Sequence, residues 1–70
     1  MNRFGDKLRT LRNQAGYSQR KLAQLLDVDQ RHVSRMERGE KVPNAAMILK
    51  IANLFEVCID RLMRDELELE

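Results

Sequence analysis

Between Leu26 and Gln30 the chain has only Asp27-Val28-Asp29, yet one apolar stripe with helical spacing ends before these residues and another begins after them. Upstream, Leu22, Leu25 and Leu26 follow Ser18. Downstream, Val33 and Met36 follow Asp29. Ser and Asp are both good N-caps, because a side-chain oxygen satisfies a free N–H of the first helical turn. A link this short forces a sharp turn between two short helices, so their crossing is constrained before the rest of the chain is considered.

The remaining breakers divide the sequence in the same manner. Phe4, Leu8, Leu11 and Ala15 form one helical stripe that Gly16 can stop. Asn44, after Pro43, opens a segment carrying Ile48, Ile51, Ala52 and Phe55, and Glu56-Val57-Cys58 closes it. Ile59, Leu62 and Met63 make a last stripe that Leu67 can extend. Strand-like alternation is missing throughout. The expectation is an all-α, compact five-helix domain over residues 1–64, with a helix-turn-helix unit at about 18–38 and an acidic C-terminal tail at 65–70.

Seventy residues allow one domain with a modest core and no scaffold for a deep cleft. There is no nucleophile–base constellation and no phosphate loop, so an enzyme is not expected. One Cys and one His are too few for a protein zinc site, and neither metal nor cofactor is expected. No apolar run is long enough for a membrane span, and Met1-Asn2-Arg3-Phe4-Gly5-Asp6 does not read as a signal peptide. The lone Cys58 agrees with a reducing, cytoplasmic setting.

The formal net charge of +2 hides an asymmetry. Residues 1–41 carry ten Lys/Arg against five Asp/Glu, a net of +5, and residues 42–70 carry three against six, a net of −3. Such asymmetry can arise by chance in small helical domains, but it also fits a polyanion met by the front of the chain. The helix after Asp29 sharpens this. At about 100° per residue with Gln30 at zero, Ser34, Arg38, Arg31 and Arg35 fall between about 40° and 140°, while Met36 and Val33 fall near 240° and 300°. One side is apolar, and the other bears only hydrogen-bond donors and no acid. Solvated helix faces normally mix signs. Arg donates two parallel bonds to guanine, Gln pairs with adenine, and Ser reaches base or phosphate. Gln30, Arg31, Ser34 and Arg35 are therefore candidate base readers. His32, near 200°, lies on the flank and suits a phosphate or water contact.

The preceding helix begins Ser18-Gln19-Arg20-Lys21. Cations oppose the dipole at a helix N-terminus, and a phosphate docked on the free N–H groups would remove the conflict. Gln19, Arg20 and Lys21 are thus candidate phosphate contacts, although exposed cations there cost only a few tenths of a kcal/mol and need no partner.

Taken together, Leu8-x-x-Leu11-Arg12, Gly16-Tyr17-Ser18-Gln19, Leu22-Ala23, Val33-Ser34-Arg35-Met36-Glu37-Arg38-Gly39, Pro43 and Ile51-Ala52 resemble the Cro and phage-repressor type helix-turn-helix family, also called XRE. The resemblance covers about residues 4–63. It implies a lambda-repressor-like domain that binds operator DNA, usually as a dimer, with Gln30, Arg31, Ser34 and Arg35 at the base-reading positions. It implies phosphate contacts from Gln19 and from the loop Arg38 to Lys41. It also implies an ion pair between Arg12 and Glu37, which the wheel accommodates by placing Glu37 near 340°, on the border of the core face.

Three positions depart from the family pattern. Asp27 and Glu56 stand where Gly is usual at the ends of the second and fourth helices, so either those turns are built differently or stability is sacrificed. Cys58 stands where a Ser cap is common. Acids in the tail oppose the helix dipole, so the C-terminal end is expected to fray. Ile59, Met63 and Leu67 are candidates for a two-fold dimer contact, against the alternative that they finish the monomer's own core, which is the reading for Leu62. The expected function is sequence-specific binding of double-stranded DNA through the major groove, as a transcriptional regulator acting by occupancy on a roughly palindromic operator, as a repressor in a bacterial or phage cytoplasm at the nucleoid. The alternative is a protein-interaction module such as a DNA-binding antitoxin.

Overall fold

Side-chain caps start three of the helices, and one recurring turn ends four of them. The computed structural model describes residues 3–63, which form α1 (Phe4–Gln14), α2 (Gln19–Leu26), α3 (Gln30–Glu37), α4 (Ala45–Phe55) and α5 (Ile59–Met63). Ser18 Oγ accepts from the Lys21 N–H at 3.0 Å, Asp29 Oδ1 from the Arg31 N–H at 2.8 Å, and Asn44 Oδ1 from the Met47 N–H at 2.8 Å. Each bond satisfies a donor that the helix itself cannot.

At the other ends, Gly16, Asp27, Gly39 and Glu56 all adopt the left-handed conformation, with φ of 77°, 60°, 78° and 55°. In each case the next residue donates back across the last turn: Tyr17 to the Arg12 carbonyl, Val28 to Ala23, Glu40 to Arg35 and Val57 to Ala52, at 2.9–3.0 Å. This is the Schellman closure, four times over. Asp27 and Glu56 therefore build the turn that Gly builds, and the strain of a Cβ at positive φ is accepted rather than avoided. Tyr17, Val28 and Val57 are half-buried, and the two valines pack against the core, as the residue after such a turn commonly does.

The core takes Phe4, Leu8 and Leu11 from α1, Leu22, Ala23 and Leu26 from α2, Val33 and Met36 from α3, Met47, Ile48, Ile51 and Ala52 from α4, and Leu62 from α5. Three residues placed on apolar stripes by spacing alone are exposed: Ala15, Leu25 and Ile59. Periodicity gives a direction for each side chain but not how far a neighbouring helix extends to cover it. Conversely Lys7, charged and on α1, is buried, and its Nζ donates to the Arg61 carbonyl of α5. Lys50 of α4 donates to the Leu26 carbonyl at the end of α2. These two long side chains tie the later helices to the earlier ones.

The packing of α1 on α3 sets the position of the polar face. A Cβ at Gly5 would lie 2.5 Å from the Glu37 carbonyl oxygen and 2.7 Å from that of Met36. Only a residue without a Cβ lets α1 come this close to the C-terminal end of α3. No helix among the described residues is long and apolar enough to cross a membrane.

Candidate nucleic-acid interface

The candidate surface is organised around a buried carboxylate. Glu37 ends α3 with its side chain 1 % exposed. Arg12 of α1 donates from Nε to Oε2 at 2.6 Å and from Nη2 to Oε1 at 3.2 Å, a forked pairing suited to a carboxylate. Gln19, the first residue of α2, donates from Nε2 to Oε1 at 3.1 Å. Arg9 adds its guanidinium at 3.6 Å and donates from Nη2 to the Glu37 carbonyl at 3.3 Å. Arg12 also donates from Nη1 to the Tyr17 carbonyl in the loop before α2. Burial pushes the Glu37 carboxyl up, but the hydrogen bonds from Arg12 and Gln19 and the charges of Arg12 and Arg9 outweigh it and hold the group below its usual value. One carboxylate thus joins α1, α2 and α3.

The opposite side of α3 is open. Gln30, Arg31 and Arg35 are exposed and Ser34 is half-buried, while Val33, Met36 and Glu37 are buried. No acid interrupts that outer face. Arg31, His32 and Arg35 line a shallow hollow with Lys41 from the following loop, and Asp29 is the one acid at its edge. The structure therefore brings two base-reading candidates together with two phosphate candidates.

The other phosphate candidates lie around this face. Arg20 and Lys21 are exposed on the first turn of α2. Gln19 is half-buried, and its bond to Glu37 uses one of the two N–H donors of its amide. Arg38 follows α3 and is exposed, but its Nε lies 3.3 Å from Glu40 Oε2. Of the dimer candidates, Ile59 is exposed, Met63 is half-buried and packs partly on the core, and Leu67 lies outside the described residues, as does the tail at 65–70.

Four contributors were not legible from sequence. Arg9 and Gly5 act on main-chain atoms of α3 about thirty residues away, for which a sequence carries no signal beyond the position of Arg9 one turn before Arg12. The Gln19–Glu37 bond and the Asp29–Arg31 side-chain pair, Nε to Oδ1 at 3.4 Å, involve residues already singled out for other roles.

Comparison with known proteins gives a consistent result. The family model HTH_3, described as Helix-turn-helix, matches residues 8–62. The chain is 34 % identical over 64 residues to the HTH-type transcriptional regulator ImmR of Bacillus subtilis, covering 90 % of this chain and 50 % of ImmR. Among solved structures, the restriction-modification controller protein C.AhdI from Aeromonas hydrophila superposes with a TM-score of 0.78 at 36 % identity, covering 87 % of this chain and 92 % of that one. A transcriptional regulator from Listeria innocua gives 0.80 at 30 % identity, covering 84 % and 55 %. The chain spans about half the length of the first curated relatives it matches, at 50 % and 56 %.

Proposed function

The chain belongs to the Helix-turn-helix family HTH_3, and on that premise we propose that it is a transcriptional regulator that binds double-stranded DNA sequence-specifically, with α3 in the major groove. The observation that carries this reading is the division of α3 into a buried side, Val33, Met36 and Glu37, and an acid-free outer side with Gln30, Arg31, Ser34 and Arg35 accessible.

Arg31 and Arg35 suit the O6 and N7 of guanine, and Gln30 suits adenine, each pairing being worth about 1–3 kcal/mol of discrimination. Ser34 reaches a base or a phosphate. Gln19, Arg20 and Lys21 on one flank, and His32, Arg38 and Lys41 on the other, hold the phosphates and fix register. Two copies joined through α5, with Ile59 and Met63 in the contact, would set two reading helices about one DNA turn apart on a palindromic site. In this reading the binding unit is residues 1–64, the tail is 65–70, and the chain represses by occupying the site in a bacterial or phage cytoplasm.

Selection from a random duplex pool, with sedimentation of the free and bound protein, tests this. The expected result is an enriched two-fold sequence, a dimer on DNA, and a steep salt dependence as Lys and Arg displace counterions. Uniform binding to all sequences, or a chain that remains monomeric on DNA, would refute the reading of α3 or of α5 respectively.

A further inference from the structure

The caps of α2, α3 and α4 are not equivalent. Ser18 and Asn44 accept from the N–H three residues on, whereas Asp29 accepts from the N–H two residues on, that of Arg31. The same Oδ1 lies 3.4 Å from Arg31 Nε and accepts from it. Asp29 is the one charged cap of the three, and it sits at the edge of a hollow otherwise lined by Arg31, His32, Arg35 and Lys41. A cap alone needs no charge, as Ser18 and Asn44 demonstrate. Near DNA an acid is a liability, since it repels phosphate.

Resting on the reading of α3 as the base-reading helix, we propose that Asp29 is a positioning residue for base recognition: its carboxylate holds the Arg31 guanidinium by Nε and leaves the two terminal amino groups to meet guanine end-on. The chemistry follows from the shape of the side chain. Arg has five N–H donors in a fixed plane, one on Nε and two on each terminal nitrogen. Guanine O6 and N7 take two parallel bonds, which the two terminal nitrogens supply when Nε is engaged elsewhere. The Arg31 backbone N–H holds the Asp29 carboxyl below its usual range, so it stays anionic and able to grip. In the free protein the two side chains are 86 % and 64 % exposed and the pair is weak. When the helix docks, water leaves the groove and the same pair strengthens. The carboxylate lowers affinity for any phosphate-rich surface and in return fixes which base Arg31 accepts.

The test uses the full chain as wild type, Asp29→Ser, Asp29→Asn, Arg31→Ala and Asp29→Ser/Arg31→Ala. The guanine in question is the site position that loses its preference in Arg31→Ala. Both Asp29 variants keep a capping oxygen, so their melting temperatures should match wild type. Affinity for random duplex should rise, and discrimination for that guanine alone should fall by about two- to fivefold. In the Arg31→Ala background the Asp29→Ser change should alter discrimination no further. Unchanged discrimination in both Asp29 variants, an equal loss at every base pair, or the same loss without Arg31 would overturn the positioning role while leaving α3 as the reader. A wild-type chain with no base preference, or an Arg31→Ala chain that relaxes no position, would overturn the base-reading assignment and this inference with it.

Discussion

Replacing Glu37 with Gln changes one charge at almost constant volume and so isolates what the carboxylate does. Its side chain is 1 % exposed and is met by Arg12 through a forked pair, by Gln19, and by the flank of Arg9. Removing one partner of a buried pair costs about 3–5 kcal/mol. That figure is an upper bound here, because the Arg12 and Arg9 side chains retain 14 % and 47 % exposure and water can partly solvate them once the anion is gone. Glutamine also keeps one acceptor. A loss of about 2–3 kcal/mol remains. For a chain of this length total stability is about 4–10 kcal/mol, and the melting temperature should fall by about 10–20 °C.

The pH dependence of this loss separates charge from packing. The folded carboxyl titrates below its unfolded value. Its contribution is therefore complete above the unfolded pKa, about 4.3, and disappears as pH falls through the lower folded value. Thermal melts followed by far-UV circular dichroism at pH 7 and at pH 3 provide the assay. The gap between wild type and Glu37→Gln should be wide at pH 7 and should narrow at pH 3. Equal melting temperatures at pH 7, or a gap of the same size at both pH values, would refute the view that an ionised Glu37 holds the three helices together.

Three further outcomes are expected. Asp27→Gly and Glu56→Gly relieve left-handed strain of about 1–2 kcal/mol at an entropic cost of about 0.5–1 kcal/mol, so each should raise the melting temperature by a few degrees, more for Glu56 because Asp tolerates this conformation better; an unchanged or lower value at both sites would count against strained turns. Gly5→Ala places a methyl 2.5 Å from the Glu37 carbonyl oxygen and should cost about 1–3 kcal/mol by chemical melt, together with weaker specific binding, since α3 must move to make room. Arg35→Ala touches an exposed residue, so stability should stay within about 0.5 kcal/mol of wild type while binding to the selected site weakens by about 1–3 kcal/mol in a titration at fixed salt.

The features legible in the sequence are those whose chemistry is local. Ser18, Asp29 and Asn44 could be read as caps because a cap is satisfied within its own first turn. Val33 and Met36 could be placed in the core because α3 is sandwiched between α1 and α2 and its apolar side has nowhere else to face. Resemblance to a family supplied the pairing of Arg12 with Glu37, which the wheel left at a border. Features that depend on where a second helix arrives could not be read. Leu25 and Ile59 carry the same periodic signal as Leu22 and Leu62, but the described helices leave each of them 42 % exposed. Lys7 looked like one cation among many, yet it is buried against α5. Nothing in the run Phe4-Gly5-Asp6 announces that α1 crosses α3 at the glycine.

These contacts share a consequence for how the surface is set. At eight residues, α3 is too short to be stable or oriented by itself. Its C-terminal end is fixed from α1, by the glycine contact, by Arg9 on the Glu37 carbonyl and by Arg12 on the Glu37 carboxylate. Its N-terminal end is held by its own cap and by the turn through Asp27. Among the described residues the Gln30 and Arg35 side chains make no bond to either anchorage, and Arg31 adds to the cap only through its backbone N–H and a 3.4 Å Nε contact with the exposed Asp29 carboxylate. Orientation and outward chemistry are thus encoded in different residues. The outer face can change its side chains without loosening the fold, whereas α1, which bears none of the reading candidates, controls the angle at which that face is presented.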